Sequence, residues 1–236
     1  MILPSSINSS PRGNLVCRLN DLLPSTLDRV MSSTTRPTAE FSSALRISAI
    51  LWLCLWMPAY FQAWGWENFL HFCDVALLLT CLGLIFQNRL LLSTQSQGCF
   101  AICLFWTLDA SSRLLLGRHL IGGTEYMFDR TIPEWLRVLS LYHIALPILL
   151  VWALSRIGYD PRAWRVQSAV AAAVLIASRL VAPDQNLNFA FTDPVFHRAW
   201  GPAPVHLAAM YILLIFVLYL PVHRMLLRYF LRPRPP

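Results

Sequence analysis

Read only for apolar and polar positions, the chain alternates long greasy blocks with short polar joints. Six blocks approach the ~20 residues that carry a helix across a ~30 Å hydrocarbon core. They predict helices from about Leu45 to Trp64, Glu67 to Phe86, Gly98 to Leu116, Trp135 to Leu154, Trp164 to Val181 and Pro204 to Leu220. Trp64, Trp66, Trp135, Trp164 and Trp200 fall near block ends, where interfacial aromatics belong. The expected fold class is therefore all-α: a polytopic membrane bundle of six transmembrane helices, residues 44–223, with no internal repeat. Residues 1–43, rich in Ser, Thr, Pro and Arg, read as a disordered cytoplasmic tail, and Met31 offers an alternative start. Residues 224–236 read as a basic cytoplasmic tail.

Composition strengthens the membrane reading. The chain of 236 residues is 56% hydrophobic and only 13% charged, whereas a soluble domain carries about 25% charged residues. The net charge of +7 comes entirely from arginine. It does not call for nucleic acid, because Arg at the cytoplasmic ends of helices accounts for it. Arg36, Arg46, Arg89, Arg156, Arg162, Arg165, Arg224, Arg228, Arg232 and Arg234 gather on one side of the predicted spans. The other side is mixed or acidic, with Glu67, Arg118, Glu125, Asp129, Arg130, Glu134, Asp184, Asp193 and Arg198. The positive-inside rule then places both termini in the cytoplasm of a multi-pass protein of the inner, or plasma, membrane, with lipids as partners. Six cysteines without a C-x-x-C pair argue against a zinc ribbon or a disulfide framework.

The polar residues inside the blocks are unevenly placed. At ~1.5 Å per helical residue, His71 and Cys73 lie ~7–10 Å below the outer edge, Asp109 ~10–12 Å, Arg113 ~5 Å, and Ser140 and His143 ~8 and ~12 Å. Arg179 ends the fifth block, Asn186 and Asn188 follow it, and His206 starts the sixth. The inner half holds almost none of this. Groups that are costly in hydrocarbon are expected to face one another around a wet hollow in the outer leaflet, and intramembrane ionisable residues mark functional sites by default.

Spacing leaves alternatives open. His71 and Asp74, at i,i+3, share a helical face, and Asp109 and Arg113, at i,i+4, fit an intrahelical ion pair. Arg113 and Arg179 also suit a lipid phosphate. Cys73 fits either a nucleophile with His143 as base or a small packing residue like Cys54, Cys81, Cys99 and Cys103. His143 fits a base or a ring bonded to a helix carbonyl. Pro147 lacks an N–H and leaves the His143 carbonyl without its helical partner. His71, Asp74, His143 and His206 have the chemistry of metal ligands, and His71 with His143 that of a haem pair, but no ligand spacing supports either. No metal or cofactor is expected. His119, His197 and His223 carry no signal.

The order of short motifs adds a resemblance. His71-x-Cys73 opens the second block, "CLFWTLDASSRLL" lies in the third, a lone His143 in the fourth, "NLNF" after the fifth and "GPAPVHLAAMY" at the start of the sixth. This resembles the YwaF family of bacterial integral membrane proteins, which are similar to vertebrate membrane acyltransferases and more remotely to androgen-induced hydrolases of fatty-acid esters. The resemblance implies acyl transfer or hydrolysis on lipids, with Cys73 as nucleophile and His143 as base. His71, Asp109, Arg113, Arg179, Asn186, Asn188 and His206 are expected to bind substrate, Asn188 or a backbone N–H steadying the oxyanion. A small-solute or proton-coupled carrier and a structural membrane protein without catalysis are the alternatives.

Overall fold

A computed structural model describes residues 41–181 and 183–231. The tail reading for residues 1–40, including Met31, lies outside these residues, as do Arg232 and Arg234; residues 41–43, read as disordered tail, instead lead into and start the first helix. Among the described residues every regular element is helical. Five helical segments are long and apolar enough to cross a membrane, and a sixth apolar helix is shorter.

Helix α1, Ser43–Trp64, starts where the Ser42 hydroxyl accepts a hydrogen bond from the Leu45 N–H. It buries one stripe, Ala49, Trp56 and Tyr60, and leaves Ile47, Leu51, Leu55 and Phe61 exposed. Apolar side chains on the outer surface are what lipid contact requires. Phe41, just before the helix, packs against Trp152 with ring centroids 5.7 Å apart.

The second predicted span is broken. Glu67–Leu70 forms a 3-10 turn, His71 is extended at φ −59° and ψ 138°, and α2 runs over Phe72–Ile85. At ~1.5 Å per residue α2 is only ~21 Å long. His71 therefore caps the helix instead of sharing a face with Asp74, and Cys73 and Asp74 lie in the first turn.

Helix α3, Arg89–Leu116, runs nine residues beyond the expected start at Gly98. Asn88 caps it by accepting from the Leu91 N–H. The run Ser93–Gln97, expected in an inner loop, is buried in its first turns. The long polar stretch stays helical because the segments packed against it supply partners. Gln97 Nε2 donates to the Tyr219 carbonyl at 3.3 Å, and Ser93 Oγ accepts from the Asp160 N–H at 2.9 Å.

The fourth span is α4, Glu134–Leu139, and α5, Tyr142–Ile157. The break falls at Ser140–Leu141, nearly two turns before the interior Pro147. Helix α6 is Ala163–Val181. The last span is α7, Ala203–Leu213, a π-helical segment, Leu214–Tyr219, and α8, Leu220–Phe230. Pro221 has no N–H to give to the preceding turn, which accounts for the irregular backbone there. Residues 224–230, read as tail, are thus helical, and Leu226 is fully buried.

Helix α3 is the central element. It packs on α2, α5 and α6, and α1 packs on α2. At the Arg89 end of α3 lies a polar cluster absent from the expectation of a dry inner half. The Tyr159 hydroxyl donates to Gln97 Oε1 at 3.0 Å and lies 2.8 Å from His223 Nδ1, while Gln167 Nε2 donates to the Tyr219 hydroxyl at 3.2 Å.

Candidate functional site

The break before α2 and the break before α5 face each other, and a cavity of about 400 Å³ opens between them. Cys73, Asp74, His71 and His143 line it, with Tyr60, Trp64, Trp106, Tyr126 and Tyr142 as aromatic wall and Asn68, Gly123, Gln185 and Leu187 around them. Its volume lies in the range of small-molecule sites. A larger hollow, about 760 Å³, is lined by Met127, Phe128, Arg130 and neighbours up to Arg137, and holds none of the expected site residues.

Each side chain is held by a specific bond. His143 sits in the first turn of α5 and its Nδ1 lies 2.8 Å from the Ser140 carbonyl. A carbonyl only accepts, so in the neutral ring Nδ1 carries the proton and Nε2 keeps a lone pair. The ring is stacked on Trp106, centroids 4.4 Å apart at 7° between planes, and on Tyr142 at 4.1 Å. His71 repeats the pattern, with Nδ1 2.9 Å from the Asn68 carbonyl. Asp74 accepts from Tyr142 Oη at 2.5 Å and from Asn68 Nδ2 at 2.8 Å. Trp106 Nε1 donates to Tyr126 Oη at 3.1 Å, and Tyr60 Oη and Ser140 Oγ are 2.6 Å apart.

Of the nine expected site residues, Cys73, His143 and His71 share the cavity. The other six do not line it. Asp109 is buried, and its Oδ1 accepts from the backbone N–H groups of Leu120, Ile121 and Gly122 at 2.7, 2.8 and 3.0 Å. Its Oδ2 accepts from Thr124 Oγ1 and from His119 Nδ1, the latter at 2.8 Å. The expected Asp109–Arg113 ion pair is corrected: His119 takes that place. Arg113 points the other way, donating to the Gly117 carbonyl and lying 5.9 Å from the centroid of the Phe128 ring. The sequence distance was right for a pair, but the chain returns after α3 and offers Asp109 better-directed donors.

Beyond α6, Arg179 donates to the Ala190 carbonyl at 2.9 Å and stacks on Phe191 at 4.0 Å. Asn186 closes the loop, with Oδ1 accepting from Phe191 and Thr192 N–H groups and Nδ2 donating to Thr192. Asn188 spends its whole amide on structure. Its Oδ1 accepts from the Phe72 N–H at 3.0 Å, and its Nδ2 donates to the Leu70 carbonyl at 2.7 Å and to Ser178 Oγ at 2.9 Å. It is a clamp on the start of α2 and leaves no N–H for an oxyanion. Asn186, Asn188 and Phe189 all have positive φ, 46°, 54° and 59°, a region asparagine tolerates and phenylalanine rarely enters.

His206 is fully buried and both ring nitrogens are used. Nδ1 accepts from the Trp200 N–H at 3.2 Å and Nε2 donates to the Phe189 carbonyl at 3.0 Å. The four-residue metal set is therefore not assembled, and among the described residues no group of three or more His, Cys, Asp or Glu is placed to hold a metal. Nearby, Asp193 organises the last loop. Burial works to raise its carboxyl, but the N–H of Phe196, the Trp200 indole and the N–H of Val195 outweigh that and bring it down to about 2.

Sequence reasoning missed Tyr142, Tyr60, Tyr126 and Asn68. Tyr142 adjoins His143 and Asn68 lies three residues before His71, so proximity to the named histidines was the available signal. No protein-family model, curated protein or solved structure matches this chain.

Proposed function

We propose that this protein carries out Cys/His-dependent acyl transfer or hydrolysis on membrane lipids inside the cavity. The observation that carries the reading is that Cys73 and His143, 70 positions apart in sequence, line one hollow, with the unprotonated nitrogen of His143 free of its backbone bond. In the first step His143 Nε2 takes the thiol proton and Cys73 Sγ attacks the ester carbonyl carbon. The ester C–O bond breaks, the alcohol leaves with the proton from His143, and the acyl group remains as a thioester. Water or a second lipid alcohol then gives its proton to His143 and attacks the thioester, and the thiol is restored.

First-turn N–H groups of an α-helix have no intrahelical acceptor. In α2 the Phe72 N–H is taken by Asn188, and those of Cys73 and Asp74 are the oxyanion donors in this reading. They replace the Asn188 side chain in that role, and their place at the positive end of the helix dipole suits a developing negative charge. The stacking of His143 between Trp106 and Tyr142 holds the base in place, and His71 has the same free Nε2 as a second proton carrier. The orientation that follows from the arginines opens the cavity toward the outer leaflet.

The test is covalent labelling of the purified protein in uncharged micelles with a fluorophosphonate-free, acyl-type electrophile on a lipid chain. The expected result is label on Cys73, none in Cys73→Ser and at least about tenfold slower labelling in His143→Ala, as for loss of a general base. Equal labelling of wild type and Cys73→Ser overturns the reading.

A small-solute or proton-coupled carrier is the second reading. It gains from the polar cluster of Gln97, Tyr159 and His223, which supplies hydrogen-bonding groups at the other end of α3. Proton-coupled flux in liposomes, lost on His143→Ala but kept in Cys73→Ser, would favour it.

A further inference from the structure

The cavity holds one carboxyl group and no guanidinium. Asp74 is 3% exposed and forms no ion pair among the described residues. Its two oxygens accept hydrogen bonds from the uncharged donors Tyr142 and Asn68. No arginine lines the cavity, and the sequence contains no lysine. The two arginines expected to take a phosphate, Arg113 and Arg179, are bonded to backbone carbonyls outside it. His71 and His143 each turn a protonated Nδ1 to a carbonyl, so neither brings a fixed positive charge. Against this single acidic group stand five tyrosine and tryptophan side chains among thirteen lining residues.

A buried carboxylate without a counter-charge is costly, and a cation seated beside it recovers that cost. Aromatic rings attract cations through their quadrupole, and rings grouped with a carboxylate form the usual receptor for ammonium groups. We infer that the cavity binds a substrate through an ammonium group, primary or quaternary, seated among Tyr60, Trp64, Trp106, Tyr126 and Tyr142 and facing Asp74. The inference deepens the proposed function and rests on its reading of this cavity as the place where substrate sits. It names the substrate class: a lipid whose headgroup ends in an amine, such as a choline or ethanolamine type, or a free amine of the same chemistry.

The experiment is calorimetric titration of the full-length Cys73→Ser protein in uncharged maltoside micelles. The probes are choline, its neutral isostere 3,3-dimethylbutanol, dodecyltrimethylammonium and dodecyl phosphate. The expected result is choline about tenfold tighter than the isostere, the size of a partly desolvated cation–π and charge contact. That preference disappears in Asp74→Asn and falls in Trp106→Leu. Dodecyltrimethylammonium binding more tightly than choline identifies a lipid source, and equal affinity identifies a free amine. Equal affinity for choline and the isostere, tighter binding of dodecyl phosphate, or no binding of any probe overturns the inference. The choline and isostere comparison decides the question even where Asp74→Asn does not fold. Binding is read in a chain without the Cys73 thiol, so failure of covalent labelling in wild type and failure of ammonium binding are separate results.

Discussion

The Tyr142 hydroxyl donates to Asp74 Oδ1 across 2.5 Å, joining the first turn of α5 to the first turn of α2 over 68 positions of sequence. The bond links the two helix starts that carry His143 and Cys73. It is therefore the strut that sets the width of the cavity. Tyr142→Phe keeps the ring and removes only this donor. We expect a loss of about 1–3 kcal/mol in stability, the cost of a buried acceptor deprived of a partner, together with slower labelling of Cys73. Thermal unfolding in micelles and the labelling rate check both. An unchanged melting temperature would show that the bond does not bear on the fold.

Gly98 lies where α3 meets α6. A Cβ there would come within 2.3 Å of Gln167 Nε2 and 2.7 Å of its Cδ. Gly98→Ala is expected to destabilise by about 1–3 kcal/mol through overpacking. Gln167→Ala removes the obstructing amide, so the double variant should recover part of that loss. Purely additive effects in the double-mutant cycle would show that the two positions do not meet.

Asp109 gathers the loop from His119 to Thr124 onto α3. Asp109→Ala leaves three backbone N–H groups without their acceptor. We predict cleavage by protease within residues 118–124 where wild type resists. Labelling of Cys73 should also slow, because Gly123 and Tyr126 follow that loop into the cavity wall. The intrahelical pair read from the sequence predicts instead that Arg113→Gln reproduces the effect of Asp109→Ala. The structure predicts that it does not, and that His119→Gln comes closer.

The Asp193 carboxyl titrates at about 2 in the folded chain, below its ordinary value of 3.8. A depressed carboxylate adds stability that is present above its unfolded value and is lost as pH falls through the folded one. The loop should therefore hold at neutral pH and loosen between about pH 4 and pH 2. Asp193→Asn should be less stable at pH 7 and show a smaller loss across that window. Proteolysis of residues 190–200 as a function of pH reads it directly.

Much of this architecture was legible in the one-dimensional pattern. Long apolar blocks select helices because hydrocarbon leaves no other partner for the backbone, and that requirement is local to each block. The blocks at 45–64 and 164–181 therefore came out near their final positions, and the last block started where expected. That Cys73 and His143 line one hollow agrees with the similar positions that counting residues gives them along their spans.

What counting could not reach was decided by neighbours. The polar run Ser93–Gln97 reads as a loop until the π-helical segment at Tyr219 and the loop at Asp160 supply partners for Gln97 and Ser93. Asp109 reads as the partner of Arg113 until the chain beyond α3 folds back with better-placed donors. His71 and Asp74 read as one helical face until Asn188, 116 positions after Phe72, takes the Phe72 N–H and starts α2 there. Hydrophobicity and helical rise act within a segment, so the sequence by itself determined which segments are apolar helices. Hydrogen bonds in a dry interior are made by whichever donor arrives with the right geometry, and only the tertiary structure decides which donor that is.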